Sequence, residues 1–159
     1  MVALEGVGKL KLGSSVAIMI RPTLVLLLSL TSVCIAQTYL TPQPGDPLRK
    51  KVLDALRPEV EDALGQEVLF KINDLRVSKR FAFVSAQPLT KSHEPIDYSR
   101  TKFAEDVKDG AFDDWLCALL VKEDGEWSVA AVEIGATDVP FMGWPEAYGV
   151  PRDIVFGGE

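Results

Sequence analysis

A cysteine and a histidine are the side chains in this sequence that could form a catalytic pair. The chain holds two cysteines and one histidine, and Cys34 lies in an N-terminal run that we expect to be removed, which leaves Cys117 with His93. A Cys-His hydrolase would therefore need both residues. Cys117 lies in the apolar run WLCALLV, where a thiol packs as a small hydrophobic group and resists ionisation. We expect Cys117 to be structural and His93 to be a solvated loop residue.

An acidic stretch from Glu105 to Asp114 contains the residue types of a calcium loop. When Gly110 is aligned with the glycine of an EF-hand, Val107 falls at the third position and Leu116 at the twelfth, where that loop needs an oxygen ligand and a bidentate glutamate. The stretch therefore predicts a solvated acidic loop, with an irregular calcium loop as the alternative. We expect no metal and no cofactor.

The clearest structural pattern is a β-hairpin. Its two apolar runs flank Asp124-Gly125, a dipeptide favoured in two-residue type I′ turns because both positions need positive φ. This turn would pair Lys122 with Trp127 and Leu116 with Glu133, and strand alternation would then sort the side chains onto two faces. One face would hold Trp115, Cys117, Leu119, Val121, Ala130, Val132 and Ile134, and the other Leu116, Ala118, Leu120, Lys122, Trp127, Val129, Ala131 and Glu133.

Both faces of the predicted hairpin are apolar, yet a single helix covers only one face of a small sheet. The second face must be covered by the long polar loop, the C-terminal segment, a second protomer or a ligand. We expect a ligand site on this face, formed by Leu116, Trp127 and Glu133 together with Trp144 and Tyr148 of the tail.

Each of these residues also has a simpler structural interpretation. Trp127 would fill the core, and the aromatic residues of the tail would close down their own loop. A carboxylate on an apolar face needs a cation unless it lies at the margin, so Glu133 would pair with Arg76, Arg80 or Lys122.

An N-terminal helix is predicted to pack on this sheet. Asp46 has the residue type of an N-cap, and Pro47 suits the first helical position. Apolar residues then recur at helical spacing as far as Leu64, and Gly65 ends the pattern. Pro58 lies inside the pattern, and we expect it to kink the helix or to split it in two.

Alternating apolar residues predict a strand from Glu67 to Val77. Arg80 to Ala86 is rich in aromatic and branched residues and predicts a second strand that pairs with the first across Ser78-Lys79. Gln87 to Asp114 is polar and predicts a long loop with one short helix near Thr101 to Val107. Gly135 to Glu159 predicts an ordered tail with a short helical turn. The whole pattern predicts an α+β fold, in which the helix packs on a curved antiparallel sheet of about four strands.

This order of elements resembles the helix-plus-curved-sheet architecture of cystatin-like and nuclear-transport-factor-two-like domains. Gly125-Glu126-Trp127-Ser128-Val129 is similar to a Gly-x-Trp-x-Val stretch on a late strand of those domains. Ala55 to Pro58 (ALRP) and Gly135 to Val139 (GATDV) also resemble stretches of uncharacterised secreted bacterial proteins. The resemblance implies the fold and no activity, since the acid-base pair of a ketosteroid-isomerase-type enzyme has no matching positions here.

The N-terminal segment is predicted to be an export signal. Thr23 to Ala36 reads TLVLLLSLTSVCIA and carries no charge, and it is shorter than the roughly 20 apolar residues that span a bilayer. Cleavage after Ala36 would divide the chain into a signal peptide (1–36), an extended proline-rich leader (37–47) and a single α+β domain (48–159).

Two features leave the processing open. Translation could start at Met1 or at Met19, because Met19 begins a compact signal of its own. Lipidation of Cys34 and an uncleaved anchor are the alternatives to simple cleavage. We expect a secreted or periplasmic protein with no stable membrane span after cleavage.

Size and charge narrow the classes of function. The chain has 159 residues, 47% of them apolar, and a formal net charge of −6. Removal of residues 1–36 would leave 14 basic and 22 acidic residues and a charge of −8, which disfavours binding to nucleic acid. We expect a non-catalytic binding domain for an apolar or amphipathic ligand, with dimerisation through the second sheet face as a further option. The alternatives are an inhibitor or partner of a basic cell-envelope protein and, third, a small hydrolase or isomerase.

Overall fold

One long helix and a four-stranded sheet form the body of the protein, whose structure is a computed structural model that describes residues 39–158. The expected signal peptide, its cleavage site and the start of the leader lie outside the described residues. The elements are α1 (Pro47–Leu64), β1 (Leu69–Val77), β2 (Phe81–Leu89), β3 (Leu116–Glu123) and β4 (Glu126–Ile134). The strands form one open antiparallel sheet in the order β1-β2-β3-β4, which confirms the predicted α+β class.

Helix α1 begins and ends where its capping residues predict. The Asp46 carboxylate accepts a hydrogen bond from the Leu48 N–H at 2.7 Å, and Gly65 ends the helix with a φ of 67°. The helix continues through Pro58 as one element, so the alternative of two separate helices is wrong. Its apolar stripe packs on the sheet through Val52, Leu56, Val60 and Leu64. Among residues 39–158, no helix is both long enough and apolar enough to cross a membrane.

The two hairpin turns differ in how they are stabilised. Asp124 and Gly125 both have positive φ, as a type I′ turn requires. The turn between β1 and β2 relies on a side chain instead: the Ser78 hydroxyl accepts a hydrogen bond from the Phe81 N–H at 2.9 Å. Both hairpins were predicted, although β2 continues to Leu89, beyond the predicted end of that strand.

The β3-β4 hairpin has the predicted register near its turn and a shifted register further away. Lys122 pairs with Trp127 as expected. Beyond that part of the ladder, Ala130 is an extra residue on β4, so that Leu119 pairs with Ala131. This is a β-bulge, in which two residues of one strand oppose one residue of its partner.

The bulge reverses the face to which each later side chain of β4 points. Two sequence-based expectations are therefore wrong. Glu133 pairs with Cys117, and Leu116 pairs with Ile134, so the predicted pairing of Leu116 with Glu133 is wrong. Val132 and Ile134 pack in the cluster beneath α1, although alternation had placed them with Cys117. One inserted residue reverses every side chain that follows it, because strands alternate with a period of two.

The C-terminal segment covers the face of the sheet opposite α1, called the second face from here on. It is the face of Cys117; the face of Leu116 and Trp127, which was expected to lack a helix, lies under α1. A 3₁₀ turn (Pro140–Gly143), α3 (Trp144–Tyr148) and α4 (Arg152–Phe156) follow β4. Their apolar side chains form a cluster with the second face, whose buried members are Phe81, Phe83, Cys117, Leu119, Trp144, Val150, Ile154 and Val155. Helix α3 matches the helical turn expected in the tail, whereas α4 was not predicted.

The connection between β2 and β3 is a long segment with little regular structure, as its composition predicts. A 3₁₀ turn (Tyr98–Arg100) precedes the short helix α2 (Ala104–Lys108), which lies close to the expected position. Tyr98 is buried in the cluster beneath α1, and its ring lies 4.4 Å from that of Phe112. This segment therefore closes one side of the core beneath α1.

The described end of the leader is attached to the end of β1 and to the C-terminal residues. Leu40 forms an isolated antiparallel bridge with Val77, with hydrogen bonds of 2.7 and 2.8 Å. The Tyr39 hydroxyl accepts a hydrogen bond from the Gly158 N–H at 3.2 Å, and its ring packs against the second cluster. Two leader residues therefore contribute to the surface beside the free edge of β1.

Candidate functional site

The five residues predicted to bind a ligand do not form one site. Leu116 and Trp127 lie on the face covered by α1, whereas Glu133 lies on the opposite face because of the bulge. Trp144 is buried in the second cluster, and Tyr148 is exposed beside it, with ring centroids 6.5 Å apart. The structure therefore brings Trp144 and Tyr148 together and separates them from Trp127.

The ligand was expected on the face of Leu116 and Trp127, but α1 covers that face. Aromatic side chains of the tail cover the opposite face, which holds Cys117. Phe141 lies edge-on to Phe83 at 5.1 Å and packs against Trp144 at 6.1 Å. Trp144 also contacts Phe83, with ring centroids 6.3 Å apart. The C-terminal segment, one of the four coverings considered from the sequence, therefore covers the Cys117 face and not the Trp127 face.

The thiol of Cys117 lies beneath this covering and is poorly reactive. Its side chain is 1% exposed, and burial, with a smaller contribution from the charge of Glu133, raises its pKa to about 12. The thiolate is therefore scarce near neutral pH. His93 lies in an exposed turn and lines a depression beside α1 with Leu53 and Phe70, on the side of the sheet away from Cys117. The two residues do not form a nucleophile-base pair.

Glu133 is exposed, so its carboxylate keeps its contact with water at the margin of the second face. No ion pair between residues 39 and 158 includes it. The expected cations have other neighbours: Arg76 pairs with Asp74, Arg80 with Glu123, and Lys122 lies over the ring of Trp127. The predicted ion pair is therefore wrong, and the margin of the sheet explains this carboxylate.

The acidic stretch forms α2 and a turn rather than a concentrated set of ligands. Asp114 accepts hydrogen bonds from the Tyr98 hydroxyl and, at 2.6 Å, from the Gln87 amide. Burial, together with the hydrogen bond to Asp114, raises the pKa of Tyr98. Within the described part of the chain, no three His, Cys, Asp or Glu side chains are grouped so as to hold a metal ion.

An apolar groove of about 430 Å³ lies at the end of the sheet where the leader meets the hairpins. Its walls come from four separate parts of the chain: the leader, the start of α1, the β1-β2 hairpin and the β3-β4 hairpin. The apolar wall residues are Tyr39, Leu40, Leu48, Val77 and Trp127. Leu40 is 66% exposed, so the groove presents an apolar surface directly to water.

Two lysines supply the charge of this groove. Lys79, in the β1-β2 turn, and Lys122, near the end of β3, line it together with Ser78. The Lys122 ammonium lies 5.8 Å from the centroid of the Trp127 ring, within the range of a cation-π contact. Neither lysine has an ion-pair partner among residues 39–158. The groove is therefore locally positive on a protein that is acidic overall.

Trp127, which lines the groove, has one unsatisfied donor in its indole ring. Its Nε1 atom is buried and has no hydrogen-bond acceptor within the described residues. A buried donor without a partner costs about 1–3 kcal/mol relative to a satisfied one. Buried donors without a partner are rare in folded proteins, and this one is shielded from the surface, so it does not itself face the groove.

Of the five residues predicted to bind a ligand, only Trp127 lines this groove. The pairing across the Asp124-Gly125 turn already placed Lys122 beside Trp127, and that signal could have identified a positively charged aromatic wall. Lys79, Leu40 and Tyr39 carried no such signal, because their proximity depends on the tertiary structure.

Comparisons with protein families, with curated proteins and with solved structures found no significant match to this chain. The resemblance to cystatin-like and nuclear-transport-factor-two-like domains therefore stays a prediction. The groove is therefore the feature of the structure that bears on function.

Proposed function

We propose that this protein is an exported, non-catalytic binding domain for an apolar or amphipathic ligand and that the groove beside Trp127 is its binding site. The observation that carries the proposal is the groove's apolar wall, together with its volume of about 430 Å³. Small-molecule sites are typically clefts of about 300–1,000 Å³ with apolar walls and a few polar groups. This groove has that size and that composition.

The exposed leucine supports a ligand that is at least partly apolar. The backbone of Leu40 is held beside the groove by two hydrogen bonds to Val77, and its side chain is 66% exposed. Burial of apolar surface contributes about 25 cal/mol per Å². A ligand that covers Leu40 and the ring of Trp127 would gain this contribution without any rearrangement of the sheet.

The polar groups of the groove support binding rather than catalysis. The Ser78 hydroxyl is already engaged by the backbone of Phe81, and the remaining polar residues are the two lysines. Activation of a hydroxyl or a water requires a positioned base. Neither a histidine nor a carboxylate lines this groove.

The proposal is tested by substituting one exposed leucine and one matched control. We expect Leu40→Ser to weaken binding of the neutral apolar dye N-phenyl-1-naphthylamine about tenfold, because it removes an apolar wall. Met142→Ser is the control, since Met142 is also an exposed apolar residue, 58% against 66%, and does not line the groove. Fluorescence titration measures both affinities. Equal affinities for the dye in the two variants and the wild type would contradict the assignment of the groove.

Export is tested separately. If the signal peptide functions as proposed, the protein isolated from the producing organism begins at Gln37 and is recovered with the periplasm or the medium. Cell fractionation and N-terminal sequencing measure both properties. Recovery of a protein that begins at Met1 or Met19 in the cytoplasm would remove export from the proposal.

A second candidate function, an inhibitor or partner of a basic cell-envelope protein, is favoured by the surface charge. No charged side chain is buried in the described chain, so its acidic excess is displayed to the solvent. Such a charge steers association with a basic protein and is screened by salt. Capture of a basic protein from envelope extract at low salt, with loss at high salt, is the expected result. Capture that is indifferent to salt would exclude this function.

A further inference from the structure

Building on the proposed function, we infer that the groove binds an amphiphile with one apolar chain and a carboxylate head group. The chain would lie on the wall formed by Leu40 and Trp127, and the head group would lie at Lys79 and Lys122. This assigns a chemical class to the ligand and a separate role to the two lysines.

The charge distribution selects an anion. The whole chain has a net charge of −6, yet the only charged side chains that line the groove are Lys79 and Lys122. Glu123 follows Lys122 directly in the chain, but it pairs with Arg80 at 3.9 Å. Both ammonium groups therefore stay available for a negative charge from outside the described chain.

The donor types suit a head group with one negative charge, such as a carboxylate, and lack the extra donors of a dedicated phosphate site. Such sites commonly add backbone N–H groups at a helix N-terminus to their cationic side chains. No arginine lines the groove, and at the start of α1 the Leu48 N–H already donates to the Asp46 carboxylate. Two lysines provide point charges without planar geometry, which is sufficient for a small head group with a single charge.

Lys122 lies where the apolar chain of the ligand would meet its charged head group. Its ammonium lies over the indole ring of Trp127, 5.8 Å from the centroid, and its side chain is half-buried. Lysine stems pack along apolar surface while the charge stays near water. The chain of the ligand and its head group would therefore meet where the apolar wall ends.

Calorimetric titration of the full-length protein with octanoate and with 1-octanol tests this inference, since the two probes share a chain and differ in charge. We expect octanoate to bind about tenfold more tightly, as two partly exposed ion pairs would provide. The double variant Lys79→Gln, Lys122→Gln should abolish the preference for octanoate, so that the ratio of the two affinities falls from about ten to about one.

A matched pair of lysines serves as the control. Lys102 also lies over an aromatic ring, 5.3 Å from the centroid of Phe103, and Lys108 is exposed at the end of α2. Neither lines the groove. The double variant Lys102→Gln, Lys108→Gln should therefore keep the preference for octanoate, and loss of that preference in this control would overturn the inference.

The remaining outcomes separate this inference from the proposed function. Equal binding of octanoate and octanol overturns the carboxylate and leaves an apolar site, whereas failure of both probes and of the neutral dye overturns the site itself. Tighter binding of octyl phosphate than of octanoate overturns the choice of head group. Binding that appears only after proteolytic removal of residues 1–38 identifies that N-terminal segment as the occupant. A dimer that Leu40→Ser dissociates identifies a second copy; either occupant overturns the inference.

Discussion

The two faces of the sheet are buried by different means. On one face, the regular helix α1 contributes a stripe of four buried aliphatic side chains, Val52, Leu56, Val60 and Leu64. On the other face, short irregular elements between residues 140 and 156 contribute mainly aromatic and branched side chains. The first covering depends on periodicity, and the second depends on individual contacts.

Arg76 shows how an irregular covering is held. Its guanidinium donates hydrogen bonds of 2.7 Å to the carbonyl oxygens of Ile154 and Val155, and it lies 4.8 Å from the ring centroid of Phe83. The last carbonyls of a helix lack partners within the helix, and α4 is too short to be stable without help. One side chain on β1 thus fastens the C-terminal segment to the sheet.

The largest expected effect is on the helix-covered face. Leu56→Ala should lower the free energy of unfolding by about 2–5 kcal/mol, because it leaves a cavity where α1 meets the sheet; Leu56 is fully buried. Urea denaturation measures the change. Leu53→Ala, at a half-buried position of the same helix, should cost clearly less, and equal losses would contradict the importance of the buried stripe.

The next effect tests the attachment of the other face. Arg76→Met should cost about 2–3 kcal/mol, because hydrogen bonds to charged groups contribute more than neutral ones, and it should make residues 136–158 sensitive to limited proteolysis. Arg80→Met is the control, since Arg80 is 67% exposed whereas Arg76 is 11% exposed. Protease resistance of the tail in Arg76→Met would show that apolar packing alone holds the second covering.

A third prediction concerns Gly135, where the chain leaves β4 toward the C-terminal covering. Its φ is 82°, and a Cβ there would lie 2.0 Å from the Phe112 ring. Gly135→Ala should therefore cost about 1–3 kcal/mol more than Gly110→Ala, through overpacking. Gly110 has a similar φ of 71° and open space around it, so it controls for backbone strain. Thermal unfolding of both variants measures the difference, and equal melting temperatures would mean that Phe112 moves aside freely.

The smallest expected effect is a loss of stability at alkaline pH, which depends on the burial of Cys117 on the second face. Burial raises the pKa of Cys117 from an ordinary value of 9.0 to about 12, so the thiol ionises first in the unfolded chain. Its contribution to stability is complete below pH 9 and is lost as the pH rises toward 12. At pH 9.5 the loss should be below about 1 kcal/mol.

A comparison of the wild type with Cys117→Ala isolates this loss. The pKa of Tyr98 is also raised, but Tyr98 is present in both proteins, so its ionisation destabilises both equally at alkaline pH. The difference in unfolding free energy between wild type and variant should shrink as the pH rises from 8 to 10. Urea denaturation at both values measures it. A difference that does not depend on pH would mean that the C-terminal covering leaves the thiol open to water.

Local patterns determined the regular elements of this protein. The N-cap at Asp46, the stripe along α1 and the Asp124-Gly125 turn each act over a few neighbouring residues, so each could be interpreted from the sequence. The same patterns showed that both sheet faces are apolar and that a second covering was required.

Tertiary structure alone decided which residues share a face and which share a groove. The bulge at Ala130 carries no local signal, yet it moved Glu133 away from Trp127 and beside Cys117. The groove joins Leu40, Lys79 and Trp127 from segments far apart in the chain. The sequence determined that a hydrophobic surface would need a partner, because composition and periodicity are local; where that surface lies was decided by strand register and chain topology, which depend on packing across the whole domain.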